Sequence, residues 1–263
     1  MHEMLVAVFE SEKAAARGKR ELKVLHDEGA ASVFASALVV KDNFGLVSVR
    51  EESGKGPVAT LLGLLAGGVL GAVGGPAGSA VGGSIGGYLG LLSDWARNSV
   101  DLKFLDDVGK AMKPGSAAVL AEIEESWTTL IEPRFIELGG KVFRQFRTDF
   151  LDQQLLKEAA AVQTALGSLN EELDKASAGD AAIINKGIAG RKEQLKEIQS
   201  RAKAFLELKK AEVNAKTQVL QSQAKTASQK TRAILEKRIV DSQAEFDRRS
   251  KKLNEALSLA KEL

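Results

Sequence analysis

The 263-residue sequence predicts an α+β fold with three parts. These are a small domain of βαββαβ order, a glycine-rich helical hairpin inserted in it, and a long helical coiled coil behind it. Three observations predict this. Short apolar runs rich in strand formers alternate with amphipathic runs over the first half. The stretch from Gly56 to Ser93 carries no charged side chain. The last third is rich in Ala, Lys, Glu and Gln and poor in aromatics.

Leu5 to Phe9 is a short apolar run and reads as a buried strand. Ser11 is placed to cap a helix whose apolar face is Ala15, Gly18, Leu22 and Leu25, and Gly29 stops it. Ser32 to Val40 reads as a second strand. Asp42-Asn43-Phe44-Gly45 supplies turn chemistry, and Leu46 to Arg50 returns as a third strand. Beyond the glycine segment, Leu105, Val108 and Met112 mark a helix that ends at Lys113-Pro114-Gly115. Ala118 to Ile123 then reads as a fourth strand. This order is the split βαβ, or ferredoxin-like, sandwich. The boundaries expected are 1–126 for this domain, with 56–97 inserted, 127–150 as a connecting segment, and 151–263 as coil. In the connecting segment Phe135, Phe143, Phe146 and Phe150 are expected to pack on the sheet or on a second subunit.

In the inserted segment, glycine recurs every fourth residue: Gly63, Gly67, Gly71 and Gly75, then Gly78, Gly82, Gly86 and Gly90. On a helix each series makes a side-chain-free groove that another helix can approach closely. Such a helix costs about 1 kcal/mol per glycine relative to alanine, so it calls for a membrane or a tightly packed partner. Val58 to Gly74 spans about 26 Å as helix, against roughly 30 Å of hydrocarbon. Gly74-Gly75-Pro76 is the turn. Lys55 at the entry and Trp95 and Arg97 at the exit stand where interfacial anchors belong. The competing reading buries the hairpin inside a protein assembly, where its grooves pack against copies of itself.

Leu155, Val162 and Leu169 recur at seven, and Ser177-Ala178-Gly179-Asp180 breaks that helix. A second helix from Ala181 to the end would reach about 120 Å. Its seam can be read at eleven, through Ala202, Val213, Ala224, Leu235, Phe246 and Leu257, or at seven, through Leu206, Val213, Leu220, Ala227 and Ile234. A thin, Ala-rich seam of either period suits side-by-side packing of similar helices.

Reactive constellations are missing from the pattern. Cysteine is absent, and the two histidines, His2 and His26, have no second ligand at metal spacing. Asp106 and Asp107, and Glu122, Glu124 and Glu125, read as solvated acids on a helix end or edge strand. No lysine follows the glycines as a phosphate loop requires. The basic pairs Lys209-Lys210, Lys237-Arg238 and Arg248-Arg249 read as the solvated face of a coil. The net charge of +2 does not suggest nucleic acid. The expectation is a chain that is not an enzyme, with no catalytic, metal or cofactor site.

From Leu5 to Arg144 the sequence resembles a bacterial family described as predicted membrane proteins of unknown function. The shared features are the VAVF strand, the SEKAAA helix, the ALVVKDNFG turn, the small-residue hairpin and the SWTTLIEPRFIELGGKVFR stretch. That family brings no activity with it. The coil is similar only in architecture to flotillin-like scaffolds. The expected function is a membrane-associated scaffold on the cytoplasmic face that assembles with itself into a large closed ring or cage. Its partners would be copies of itself and membrane lipid. The alternative is an oligomeric pore formed by the hairpins.

Overall fold

The computed structural model describes residues 2–54, 101–125, 131–146 and 151–259. The eight glycines expected to form helix grooves, from Gly63 to Gly90, and Lys55, Trp95 and Arg97 lie outside the described residues. The described elements are β1 (His2–Phe9), α1 (Glu12–Asp27), β2 (Ala31–Lys41), β3 (Val47–Ser53), α2 (Leu102–Ala111), β4 (Ala117–Glu125), α3 (Ile131–Glu137), β5 (Lys141–Phe146), α4 (Leu151–Leu173), α5 (Ala178–Thr226) and α6 (Gln229–Leu259). The chain is α+β and divides into two compact units. One is Met1–Thr148 with Ala211–Ser242, and the other is Asp149–Lys210 with Gln243–Leu263.

The first unit is built on a five-stranded antiparallel sheet of order β3-β2-β4-β1-β5. This order differs from the ferredoxin-like one, in which the third strand separates the first two. Here β4 separates them. The physical reason lies in the strands themselves. β3 reads VSVREES and is mostly exposed, whereas the first seven residues of β4 are buried. A strand flanked on both sides and covered on both faces must be apolar, so β4 takes the centre and β3 turns outward to the edge. A further strand, β5, forms the other edge within the stretch expected as a connector. Gly139 ends α3 at φ +78° and lets the chain reverse into it.

Local chemistry explains the elements. Ser11 Oγ accepts from the Ala14 amide at 3.3 Å and caps α1. Gly29, at φ +75°, ends it. Asp42 Oδ1 accepts from the Phe44 and Leu46 amides at 2.8 Å each, which shapes the β2–β3 turn. Asp101 caps α2 by accepting from Lys103 N at 2.9 Å.

The first sheet face carries Leu5, Ala7, Phe9, Val119 and Ile123 against Leu22 and Leu25 of α1 and Ile131 and Phe135 of α3. Phe9 meets Phe135 edge to face at 5.8 Å. It fits because two glycines make room. A methyl on Gly18 would meet Phe9 Cζ at 2.5 Å, and one on Gly140 would meet Phe9 Cε1 at 2.7 Å.

The second face is covered too. Gln145 pairs with Met4, opposite the Leu5 face, and accepts from the Asp101 amide at 3.1 Å, which ties α2 there. The arm Ala211–Ser242, made of the end of α5 and the start of α6, covers β2 and β4. Its helices are separate, where one continuous helix was expected. Ser228 interrupts them by capping α6: its Oγ accepts from the Thr231 amide at 3.3 Å.

In the second unit, Leu155, Ala159 and Leu166 of α4 are buried, as are Leu195, Ala202 and Leu257. Arg201 pairs with Glu158 at 3.0 Å, and Gln163 Nε2 donates to the Leu259 carbonyl at 2.6 Å. Asp152, 2% exposed, lies 3.8 Å from Arg249 and 4.0 Å from Lys252.

Candidate functional site: the ionic seam between the roots of the insertion

Two features of the first unit meet at one place. The first is where the glycine-rich segment leaves and rejoins the fold. Gly54 lies beside Ala35. Ala35 pairs with Glu122, Glu122 with Met4, and Met4 with Gln145, which holds the Asp101 amide. The two roots of the insertion therefore stand at opposite ends of one row across the sheet, near the end where β1 begins. Four strand spacings separate the edges, about 19 Å.

The second feature is the middle of that row. Glu122 is fully buried, and its Oε1 lies 2.5 Å from Lys216 Nζ on the arm. Lys216 also holds Glu212 at 2.8 Å and stands 5.3 Å over the Phe34 ring. Two turns further, Gln223 bridges three groups. It accepts from Ser32 Oγ at 2.7 Å and donates to the carbonyls of His26 and Ala31 at 2.5 and 2.8 Å. Arg238 donates to Ser32 Oγ at 2.8 Å and lies 3.8 Å from Glu124. Burial pulls the Arg238 pKa down, against the pull of Glu124 and Glu125. The arm thus docks through charge and hydrogen bonds, with Leu220 and Leu235 beside them.

A second ionic knot ties the same end of the sheet on its first face. Arg144 reaches Glu3 at 2.9 Å, Glu125 at 3.2 Å and Glu132 at 3.8 Å. Burial pushes the Glu125 carboxyl up, and Arg144 opposes it. His26 is half-buried. Its Nδ1 accepts from the Val33 amide at 3.1 Å, and burial lowers its pKa.

These contacts correct the sequence reading of the β4 acids. Glu122, Glu124 and Glu125 are not solvated edge residues, because β4 is central and other elements deliver a cation to each. Lys209 and Arg238 are likewise buried, not exposed on a coil face. Asp106 and Asp107 do sit on a solvated face, paired with Lys110 and Lys103. Among the described residues no group of His, Asp and Glu is arranged to hold a metal.

Of the seam residues expected from periodicity, Ala202, Leu220, Leu235 and Leu257 are buried, and Val213, Ala224 and Phe246 are half-buried. Lys209, Glu212, Lys216 and Gln223 share the buried stripe with Leu220, and the five follow one another at steps of three, four, four and three. Sequence reasoning missed them because charged residues read as exposed. The one available signal was their helical spacing to Leu220.

Among the described residues no helix is long and apolar enough to cross a membrane. No curated protein and no solved structure matches the chain. A family model described as a protein of unknown function (DUF1269) matches residues 60–161. Over that stretch, which includes α2, β4, α3 and β5, the chain is similar to an uncharacterised family.

Proposed function

We propose that the protein is a non-enzymatic, membrane-associated scaffold that assembles with itself into a large closed ring or cage. The carrying observation is the placement of the insertion. The chain leaves the fold at Gly54 and re-enters it at Asp101, both in one row at one end of the sheet, and between them lies the uncharged, glycine-rich stretch from Gly56 to Ser93. Both roots of the segment thus stand at a single end of the sheet. Glycine at every fourth position then supplies grooves for close helix packing, among copies, in lipid, or in both. Exposed apolar residues on the long helices, Ile183 and Val240 at 73% and 66%, offer further contact to neighbouring copies. On this reading the protein stands at the cytoplasmic face of the membrane.

The test uses the full chain purified without detergent. Light scattering and negative-stain images should give a particle of many subunits. Gly67→Leu combined with Gly82→Leu should reduce its mass to that of small species. An unchanged mass would remove the zipper, and a small monodisperse wild-type monomer would remove the scaffold. Flotation with vesicles tests the lipid contact separately. Dye release from those vesicles would favour a pore.

A further inference from the structure

The first sheet face holds a groove that the scaffold reading does not use. It lies between α1 and the β2–β3 edge and has a volume of about 690 Å³. Small-ligand sites run from roughly 300 to 1,000 Å³. The α1 wall presents Lys19, Arg20 and Lys23, with His26 at the end of the helix. The strand wall presents Ser36 and Ser53, whose hydroxyls are 2.7 Å apart.

The charges do not balance. Two carboxylates stand at the groove, and each already holds a lysine: Glu51 with Lys19 at 2.9 Å, and Asp27 with Lys23 at 2.5 Å. Arg20 pairs with no carboxylate among the described residues. Lys23, Asp27 and Glu51 are all more than half exposed. Exposed pairs of this kind are worth about 0–1 kcal/mol, so an anion with several acceptor oxygens can draw the lysines to itself. His26 adds a donor without adding charge. Its Nδ1 accepts from the Val33 amide, so in the neutral ring the proton sits on Nε2.

We propose that this groove binds a small phosphorylated molecule, with its phosphate among Lys19, Arg20 and Lys23 and its remainder toward His26 and the serine pair. A phosphate suits this wall better than a carboxylate. It brings up to two charges and three strong acceptors to three neighbouring cations. The groove shares His26, Val33 and Ser53 with a second cavity of about 390 Å³ that reaches Gly54. The occupant therefore sits next to the root of the glycine-rich segment.

The experiment is calorimetric titration of the full chain with phenyl phosphate and, separately, with acetate at matched ionic strength. The proteins compared are wild type, Arg20→Ala/Lys23→Ala, and Arg17→Ala as a control on the same helix outside the groove. Saturable phenyl phosphate binding is expected in wild type and Arg17→Ala, and at least tenfold weaker in the double variant. Hydrogen exchange should slow at α1 and β3 on binding. No binding to wild type, equal binding to the double variant, or acetate binding as tightly as phenyl phosphate would each overturn the proposal. None of these outcomes depends on whether the protein assembles.

Discussion

Lys216 Nζ lies 2.5 Å from Glu122 Oε1, and the two side chains are 3% and 0% exposed. The pair joins the arm to the central strand at the midpoint of the row that carries the insertion. Removing one partner of a buried pair costs about 3–5 kcal/mol, because the other charge is left without its counter-ion. Lys216→Met should therefore destabilise the first unit by about that much. Glu122→Gln with Lys216→Met should cost less, since of the two carboxylates that Lys216 holds only Glu212 then keeps its charge. Urea unfolding, with hydrogen exchange at β4, compares them. Equal losses would show that the charge left on Glu122 is not the source of the cost.

Gly18→Ala should lower stability, against the helix propensity that favours alanine by about 1 kcal/mol. The new methyl would meet the buried Phe9 ring, and overpacking of this kind costs about 1–3 kcal/mol. In a Phe9→Leu background the same change should lose most of its penalty. Thermal melts of the four proteins close the cycle, and additive effects would count against the contact.

His26 makes stability pH-dependent. Its unfolded value is 6.5, and burial holds the folded value lower, with Asp27 opposing and Lys23 assisting. As pH falls through 6.5 the unfolded chain takes up the proton first. The contribution is thus whole above the unfolded value and is lost as pH falls toward the folded one. The melting temperature should drop between about pH 7.5 and about pH 5.5, and drop less in His26→Gln, whose Oε1 can accept from Val33. Parallel profiles would assign the drop to other groups.

Asp42→Ala removes the acceptor for two turn amides. At about 1 kcal/mol per hydrogen bond, the loss should be about 1–2 kcal/mol. Its readout is faster hydrogen exchange at the β2–β3 turn, with β1 and β4 unchanged. A uniform change across the sheet would contradict a local role.

Much of the first unit was legible because its signals are local. Ser11, Gly29, Asp42 and Gly115 each act within a few residues, and the apolar face of α1 is a matter of spacing. The sheet order was not legible from the elements in sequence. It depends on comparing strands far apart, and only the polarity of Arg50, Glu51 and Glu52 beside the apolar β4 hinted at it. β5 hid behind Pro133 and the two glycines, which punctuate α3 and the turn after it. The docking residues Lys216, Gln223 and Arg238 were hidden by their own charge, since their partners Ser32, Glu122 and Glu124 lie roughly ninety to two hundred residues away.

The transverse row has a mechanical consequence. Gly54 continues from the edge strand β3, and Asp101 is tied to the opposite edge through Gln145. A pull on the insertion away from that end of the sheet runs along the strands. It loads the β2–β3 ladder in shear, so its hydrogen bonds share the force instead of parting one by one. On the proposed reading, the domain would serve as an anchor block for the insertion.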